Sequence, residues 1–147
     1  MRALGKSMQW RGVLRKTALA FVLTTASARA EAPSGRFVLS TETAYDVVTK
    51  LTWQSSLPPP TTYAGAEAYC ASLSPGFRLP TLKELFSIID FRQTTGAVDP
   101  LVFPNVPNAH AWSSTPSENG KRALTLSPGV TTASLPLDTI GEAFCVK

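Results

Sequence analysis

The sequence predicts a small mixed fold in which two short helices are combined with β-strands. The clearest signal is the run from Arg78 to Leu85, where an extended segment changes into a helix. Thr81 can accept a hydrogen bond from the backbone N–H of Glu84, and Glu84 can reach back to the N–H of Thr81, as in a capping box. Pro80 has no N–H and favours an extended Leu79, so this helix cannot begin much earlier.

The strands are predicted from β-branched and aromatic content. Two strand candidates, residues 37–41 and 47–54, precede the helices. The three prolines at 58–60 then end the pairing, because none of them can donate a backbone hydrogen bond. Further strand candidates follow the helices, at residues 111–114, 122–126 and 143–147.

The helices are predicted from apolar residues at spacings of three, four and seven. The first is expected over residues 62–73, with Thr61 or Thr62 as its N-cap. The second is expected over residues 82–90. Their apolar faces comprise Ala66, Tyr69, Cys70 and Leu73 in the first helix and Leu82, Leu85, Phe86 and Ile89 in the second.

A long irregular segment runs from Asp90 to Ala111, where glycine and proline replace any regular period. Loops of this length in a compact domain are often functional. We therefore expect this segment and the adjoining tryptophan to present a ligand surface. Its candidate residues are Asp99, Asn105, Asn108, His110 and Trp112.

The first 30 residues have the features of a signal peptide. Basic residues precede a short apolar run at 17–25, and Ala28-Arg29-Ala30 is a small-x-small cleavage site. The run is too short to span a bilayer, which takes about 20 residues. We expect residues 31–147 to form one exported domain that is periplasmic, on the cell surface or secreted, with no stable membrane span. An uncleaved N-terminal anchor is the alternative.

Removal of that segment reverses the sign of the charge. Six of the 14 Lys and Arg lie in residues 1–30 and none of the 10 Asp and Glu, which leaves 8 − 10 = −2. Nucleic-acid binding requires a basic patch on the folded domain. The only adjacent basic pair after residue 30 is Lys121-Arg122, so no nucleic-acid partner is expected.

The chain has two cysteines, Cys70 and Cys145. An even number of cysteines in an exported chain favours a disulfide. The alternative is two reduced, buried thiols.

Four blocks of sequence resemble the bacterial Lcl C-terminal domain family, which is named for a collagen-like surface adhesin. The blocks are Thr49–Gln54, Tyr69–Leu73, Phe77–Leu85 and Trp112–Thr115. The resemblance covers nearly all of residues 36–147. Its markers in this chain are Trp53, Arg78, Leu79, Pro80, Thr81, Glu84, Trp112, Ser113 and Ser114.

The resemblance implies an α+β fold of the C-type-lectin-like superfold, related to formylglycine-generating enzymes. Two short helices would pack on twisted antiparallel strands, and the chain termini would lie close together. In such folds a disulfide commonly joins the first helix to the last strand, which fits the positions of the two cysteines.

The chain departs from the family pattern at two positions. Family members often have Trp and Gly where this chain has Phe77 and Lys50. The Glu-Pro-Asn and Trp-Asn-Asp signatures of calcium-dependent lectins are also absent, and Trp112-Ser113-Ser114 supplies no carboxylate. Calcium takes six to eight oxygen ligands, so no calcium site is expected. We also expect no other metal and no cofactor.

Several residues have both a functional and a structural interpretation. Arg78 and Glu84 could bind a ligand, but their position at a helix entrance favours a structural role. Trp53 and Trp112 could stack on sugar rings, although their strand-like surroundings favour burial. His110 is the only histidine, and a solvent-facing loop position is expected for it rather than a metal site. Ser113 and Ser114 lack a Gly-x-Ser-x-Gly elbow, so no catalytic residue is expected.

These observations favour an exported, non-enzymatic module that recognises a glycan or extracellular matrix polymer without calcium. The resemblance implies that the family's adhesin binds sulfated polysaccharides. The net charge of −2 argues against the same ligands for this chain. One alternative is a periplasmic or surface domain that binds another protein. A third is a remnant of a formylglycine-generating enzyme, whose chemistry requires redox-active cysteines.

Overall fold

A computed structural model of the protein describes residues 35–107, 109–118, 120–127 and 130–147. Within these residues the chain forms two antiparallel three-stranded sheets and two short helices. The elements in chain order are β1 (Phe37–Leu39), β2 (Thr43–Asp46), β3 (Thr52–Gln54), α1 (Tyr63–Ser72), α2 (Leu82–Ser87), β4 (His110–Ser117), β5 (Gly120–Thr125) and β6 (Thr131–Leu135). The expected signal peptide lies outside the described residues.

The first sheet has the order β1-β2-β3. The predicted strand at 47–54 is wrong over its first half, since residues 47–50 form a turn and β2 lies before it. Oδ1 of Asp46 accepts hydrogen bonds from the backbone N–H groups of Val48 and Thr49, at 2.9 and 3.4 Å. This side-chain contact holds a turn that β-branched content alone does not reveal.

Lys50 completes that turn in the left-handed region, with φ at 64°. A residue with a Cβ is strained there, whereas glycine is not. The resemblance implies Gly at this position. The left-handed backbone of Lys50 gives a physical reason for that preference.

The second sheet has the order β4-β5-β6. The predicted strands at 111–114 and 122–126 are confirmed as parts of β4 and β5. The sequence analysis missed β6, a mostly exposed edge strand with the sequence Thr-Thr-Ala-Ser-Leu. Its register pairs Ala133 with Ala123 and Thr131 with Thr125.

Helix α1 confirms the predicted first helix. The Thr62 side chain caps it by accepting a hydrogen bond from Gly65 N at 3.3 Å. Ala66 and Cys70 lie on its buried face. The cap and the apolar spacing, both local signals, are sufficient to locate this element.

Helix α2 begins where predicted, with a complete capping box. Thr81 Oγ1 accepts from Glu84 N at 3.2 Å, and Glu84 Oε2 accepts from Thr81 N at 2.7 Å. The helix ends at Ser87, three residues before the predicted end. The reason is tertiary, because Ile89 instead pairs with Val98 in an antiparallel bridge.

The disulfide is confirmed between Cys70 and Cys145, which are 75 residues apart and connect α1 to the C-terminal segment. The strand predicted at 143–147 is extended chain rather than a regular strand. Val146 pairs with Trp53 on one side and with Arg78 on the other. Because each of these pairings involves a single residue, the segment does not form a continuous ladder of backbone hydrogen bonds.

Side chains of this segment alternate between two hydrophobic cores. Phe144 and Val146 belong to one core, and Ala143 and Cys145 to the other. In the first core the Phe103 ring lies edge-on to the rings of Phe37, Trp53 and Phe144, with centroids 6.3, 6.1 and 5.5 Å away. In the part of the chain that the structure describes, no helix has the length and apolar character needed to cross a membrane.

Replacement of both cysteines by alanine should lower the free energy of unfolding by about 4 kcal/mol. The bridge closes a loop of 75 residues, and without it the unfolded chain gains conformational entropy. Urea unfolding of the oxidised protein and the C70A/C145A variant measures this difference. Reduced wild type serves as the control and should match the variant. Equal stability of the oxidised protein and the variant would contradict the structural role of the bridge.

Lys50→Gly should raise the free energy of unfolding by about 0.5 to 1 kcal/mol, since glycine relieves the left-handed strain at some entropic cost. Lys50→Ala is the matched control, because alanine keeps the Cβ. Thermal and urea unfolding of both variants check the result. Stabilisation by alanine as large as that by glycine would show that the backbone conformation is not the cause.

Candidate functional site

The segment from Asp90 to Ala111 packs inward over much of its length. Four apolar side chains that follow Ala97 are buried in the first core, namely Val98, Val102, Phe103 and Val106. This part of the predicted ligand loop is therefore core. The first residues of the segment, from Phe91 to Thr95, lie mostly at the surface.

The predicted ligand residues are placed in different surroundings. Asp99 is buried, and its Oδ1 accepts from Leu101 N at 2.9 Å. Asn105 is exposed in a left-handed turn, with φ at 61°. The solvent-facing loop position expected for His110 is wrong, since this residue begins β4 and is half-buried, with Nδ1 at 3.1 Å from Thr125 Oγ1. Asn108 lies outside the described residues.

Trp112 is fully buried, which corrects its assignment to a ligand surface. Its Nε1 donates to the Thr61 carbonyl at 3.0 Å, and its ring lies edge-on to Tyr63 at 5.6 Å. Trp53 is also fully buried. Both tryptophans are therefore structural residues, and neither ring face is available for a sugar.

Arg78 and Glu84 form a bidentate pair, with Nη1 and Nη2 donating to Oε2 and Oε1 at 2.9 and 2.8 Å. The hydrogen bond from Arg78 is the largest influence on the Glu84 carboxyl, and with Thr81 it outweighs burial and lowers the pKa from 4.5 to about 2. The carboxylate is thus committed to the entrance of α2.

The Trp-Ser-Ser block joins β4 to the same helix entrance. Ser114 N and Oγ both donate to the Pro80 carbonyl, at 2.7 and 3.2 Å. Thr115 Oγ1 accepts from Leu82 N at 2.9 Å. Ser113 is buried and donates to the Arg122 carbonyl. The fold markers hold two parts of the scaffold together.

A surface cleft of about 210 Å³ lies where the irregular segment leaves α2. Its most unusual feature is Phe91, whose side chain is 74% exposed. Large aromatic residues are normally buried to a much greater extent. The lining residues are Asp90, Phe91, Arg92, Gln93, Thr94, Ala97, Ser127 and Val130.

Asp90 organises the polar groups beside Phe91. Its Oδ1 accepts from Arg92 N and Nε at 3.0 and 2.9 Å, and its Oδ2 accepts from Gln93 Nε2 at 3.2 Å. The Arg92 hydrogen bonds are the main reason that the pKa of Asp90 lies below its ordinary value. A charged carboxylate therefore fixes the planar side chains of Arg92 and Gln93 next to an exposed ring.

A second cleft, of about 70 Å³, adjoins the first and shares Asp90 and Arg92 with it. Its other lining residues are Arg36, Phe37, Ile88, Ile89 and Asp99. We call the two clefts together the Phe91 groove. Of the residues predicted for the ligand surface, only Asp99 is among the described residues that line it.

A larger cleft of about 350 Å³ lies between the β2–β3 turn and α2. Three of its polar side chains, Thr81, Glu84 and Ser87, already serve the helix, whereas Thr49 Oγ1 has no hydrogen-bond partner among the described residues. Ser87 Oγ donates to the Glu84 carbonyl at 2.7 Å, and Thr81 Oγ1 donates to the Glu84 carboxylate at 3.0 Å. These bonds leave fewer polar groups for a ligand than the volume implies, although Lys83 also lines this cleft.

Glu142 is a buried carboxyl group that the sequence analysis did not single out. It is 2% exposed, and its Oε1 has no hydrogen-bond partner among the described residues. Burial raises its pKa above the ordinary value. In the described part of the chain, no three His, Cys, Asp or Glu side chains come together as a metal-binding group.

Phe91, Arg92 and Gln93 were also missed. A signal for Phe91 was present in the sequence, since the apolar stripe of α2 continues to Ile89 and Phe91 does not fall on it. An aromatic residue outside the buried stripe and flanked by Asp and Arg has no predicted place in the core. The polar network around Asp90 requires the folded turn and could not be read from spacing.

Fold and site together define a small disulfide-bonded α+β domain with a shallow polar groove around an exposed aromatic ring. The family model of the Lcl C-terminal domain matches residues 42–137, well over half of the chain, and the protein belongs to this family. No curated protein matches the chain.

Replacement of Glu84 by Gln tests the helix entrance. Because the pKa of Glu84 is lowered on folding, its stabilisation is present above about pH 4.5 and is lost as the pH falls through about 2. Glu84→Gln should therefore cost about 1 kcal/mol of unfolding free energy at pH 7, since Arg78 is half-exposed and screened by water.

The difference between Glu84→Gln and wild type should disappear near pH 2, which unfolding curves at several pH values would show. Glu118→Gln is the control, because this exposed carboxyl lies in the turn between β4 and β5. A difference that stays constant from pH 7 to pH 2 would contradict the ion-pair explanation.

Proposed function

We propose that this protein is an exported, non-enzymatic binding domain whose Phe91 groove recognises a glycan or extracellular matrix polymer without calcium. The observation that carries the proposal is the 74% exposed Phe91 ring beside the Asp90 network. Adhesion is the role that this binding would serve.

An exposed aromatic ring offers a flat apolar surface that matches the C–H face of a sugar ring. Sugar hydroxyls both donate and accept hydrogen bonds. The side chains of Gln93 and Thr94 supply amide and hydroxyl groups in the same cleft, and Asp90 fixes Gln93 beside the ring. The arrangement offers stacking and hydrogen bonding from adjacent residues.

The size of the groove favours a segment of polymer over a small molecule. Enclosed small-molecule sites measure about 300 Å³ or more, whereas the two clefts measure about 210 and 70 Å³. A shallow site buries little of a free metabolite. It suits a chain that continues beyond the groove in both directions.

The non-enzymatic part of the proposal rests on how the reactive groups are used. Both cysteines are joined in the disulfide, which argues against the redox chemistry of a formylglycine-generating enzyme. The Ser113 hydroxyl donates to a carbonyl, and Ser114 donates to Pro80. These hydroxyl groups support β4 instead of facing a substrate.

We also propose that the fold is a variant of the C-type-lectin-like superfold. The disulfide joins the first helix to the C-terminal segment, and that segment pairs with β3 near the N-terminal sheet. Export to the periplasm, the cell surface or the medium is part of the same proposal. A structural disulfide is typical of oxidising compartments.

A protein-binding role is the second candidate. Val38 and Leu39 on the edge strand β1 and Val48 in the turn between β2 and β3 are all more than half exposed. Exposed apolar residues on a sheet edge are typical of surfaces that contact other chains. This surface is separate from the residues that line the Phe91 groove.

Phe91→Ala should weaken binding at least tenfold, about 1.4 kcal/mol, because the stacking surface is removed. Arrays of neutral and charged polysaccharides, followed by calorimetry with the best binder, measure the effect. Phe86→Ala is a matched control, since this ring is 39% exposed on α2 and does not line the groove.

Lys83→Ala is the control for the larger cleft. If it abolishes binding while Phe91→Ala does not, the ligand occupies that cleft and the proposed site is wrong. A folded protein that binds no polysaccharide at all would rule out the glycan function and leave protein binding as the alternative.

A further inference from the structure

We infer that the Phe91 groove selects an uncharged polysaccharide chain and discriminates against sulfated or other anionic chains. The inference rests on the proposed function and deepens it by naming the ligand class. Its basis is the balance of charged groups in the groove, where each cationic side chain already has a carboxylate partner.

The two cationic groups that line the groove are Arg36 and Arg92. Arg36 Nη2 lies 2.6 Å from Asp46 Oδ2, and Arg36 Nε lies 3.2 Å from Asp46 Oδ1. Arg92 Nε lies 2.9 Å from Asp90 Oδ1. Asp99 adds a third carboxylate, so these five groups carry 2 − 3 = −1 in formal charge.

The residues between 35 and 147 that lie outside the described ranges do not change this balance. Their side chains are uncharged by type, namely Asn108, Asn119, Pro128 and Gly129.

Arg36 Nε and Nη2 are committed to the scaffold, because both donate to the fully buried Asp46 carboxylate and Nη2 also donates to the Ser87 carbonyl at 2.6 Å. A buried carboxylate that loses its partner strongly destabilises the fold. An anionic ligand that leaves this pair intact could reach only Nη1 of a side chain that is 17% exposed. Asp46 already balances the charge of this guanidinium, which weakens its attraction for a sulfate group.

Arg92 lines both clefts and is half-exposed, and its Nε and Nη2 donate to Asp90. A sulfate that approached it would lie beside the Asp90 carboxylate and be repelled by it. The low pKa of Asp90 keeps that negative charge in place at every pH near neutrality. Charge-assisted bonds within the protein thus oppose the same bonds to an anionic ligand.

A neutral sugar meets no such opposition. Its hydroxyl groups can bond to the Gln93 amide and the Thr94 hydroxyl while the ion pair stays intact, and its C–H face can lie on Phe91. The Arg92–Asp90 ion pair then stays in place as a polar side of the groove. Binding of this kind depends little on salt, because no ion pair is formed with the ligand.

The test compares dextran with dextran sulfate, and pullulan with its sulfated derivative, at 50 and 300 mM NaCl. We expect at least one neutral polymer to bind at least ten times more tightly than its sulfated form, with little change between the two salt concentrations. Tighter binding of a sulfated form, weakened by salt, would overturn the inference and leave the glycan function standing. If none of these polymers nor any on the arrays binds, the glycan function itself fails.

Asp90→Asn supplies a gain-of-function test. It removes the carboxylate beside Arg92, so binding of dextran sulfate should increase at least fivefold at 50 mM NaCl and fall at 300 mM. Asp138→Asn is the matched control, an exposed aspartate outside the groove. It changes the net charge equally and should leave binding unchanged.

Thr94→Lys keeps the test falsifiable if Asp90→Asn does not fold. Thr94 is exposed and lines the groove, so lysine adds a cation without removing the Asp90 network. It should also confer salt-sensitive binding of dextran sulfate. If the folded variants retain the wild-type preference, charge in the groove does not set ligand choice and the inference is wrong.

Discussion

The position of the segment from Gly141 to Lys147 is the constraint on which the rest of the structure depends. Its backbone bonds to Thr61 before α1, to Arg78 before α2, to Gln54 in β3 and to His110 in β4. Its side chains alternate between the two cores, and the disulfide fixes it to α1. One extended segment thus connects both sheets, and the helix entrances are aligned by the same contacts.

Elements with local signals could be predicted from the sequence, and elements set by tertiary pairing could not. Thr62 and Thr81 sit beside the backbone donors that they satisfy, so both helix starts follow from spacing alone. The turn at 47–50 is an exception, because its Asp46 contact is local and was hidden by the β-branched residues that follow Asp46. Strand β6 depends on its pairing with β5. The end of α2 depends on the distant residue Val98.

The exposed aromatic residue of the candidate site also could not be predicted from local signals. Trp112 had the strongest claim as a binding aromatic by residue type, yet its indole N–H reaches the Thr61 carbonyl across a filled core. Phe91 had only a weaker signal, its position outside the apolar stripe of α2, and it remains at the surface because the helix ends before it. Which aromatic residue meets solvent is decided by where a helix stops, and this depended on a contact that spacing could not show.

The pairing of Trp53 with Val146 spans 146 − 53 = 93 residues. Contacts between residues so distant in sequence form late, because the entropy of closing the intervening loop must be overcome first. Both cores take side chains from residues 143–146, so neither core is complete until this segment has docked. A chain that lacks this segment would leave both cores open and expose the apolar side chains that now pack against it.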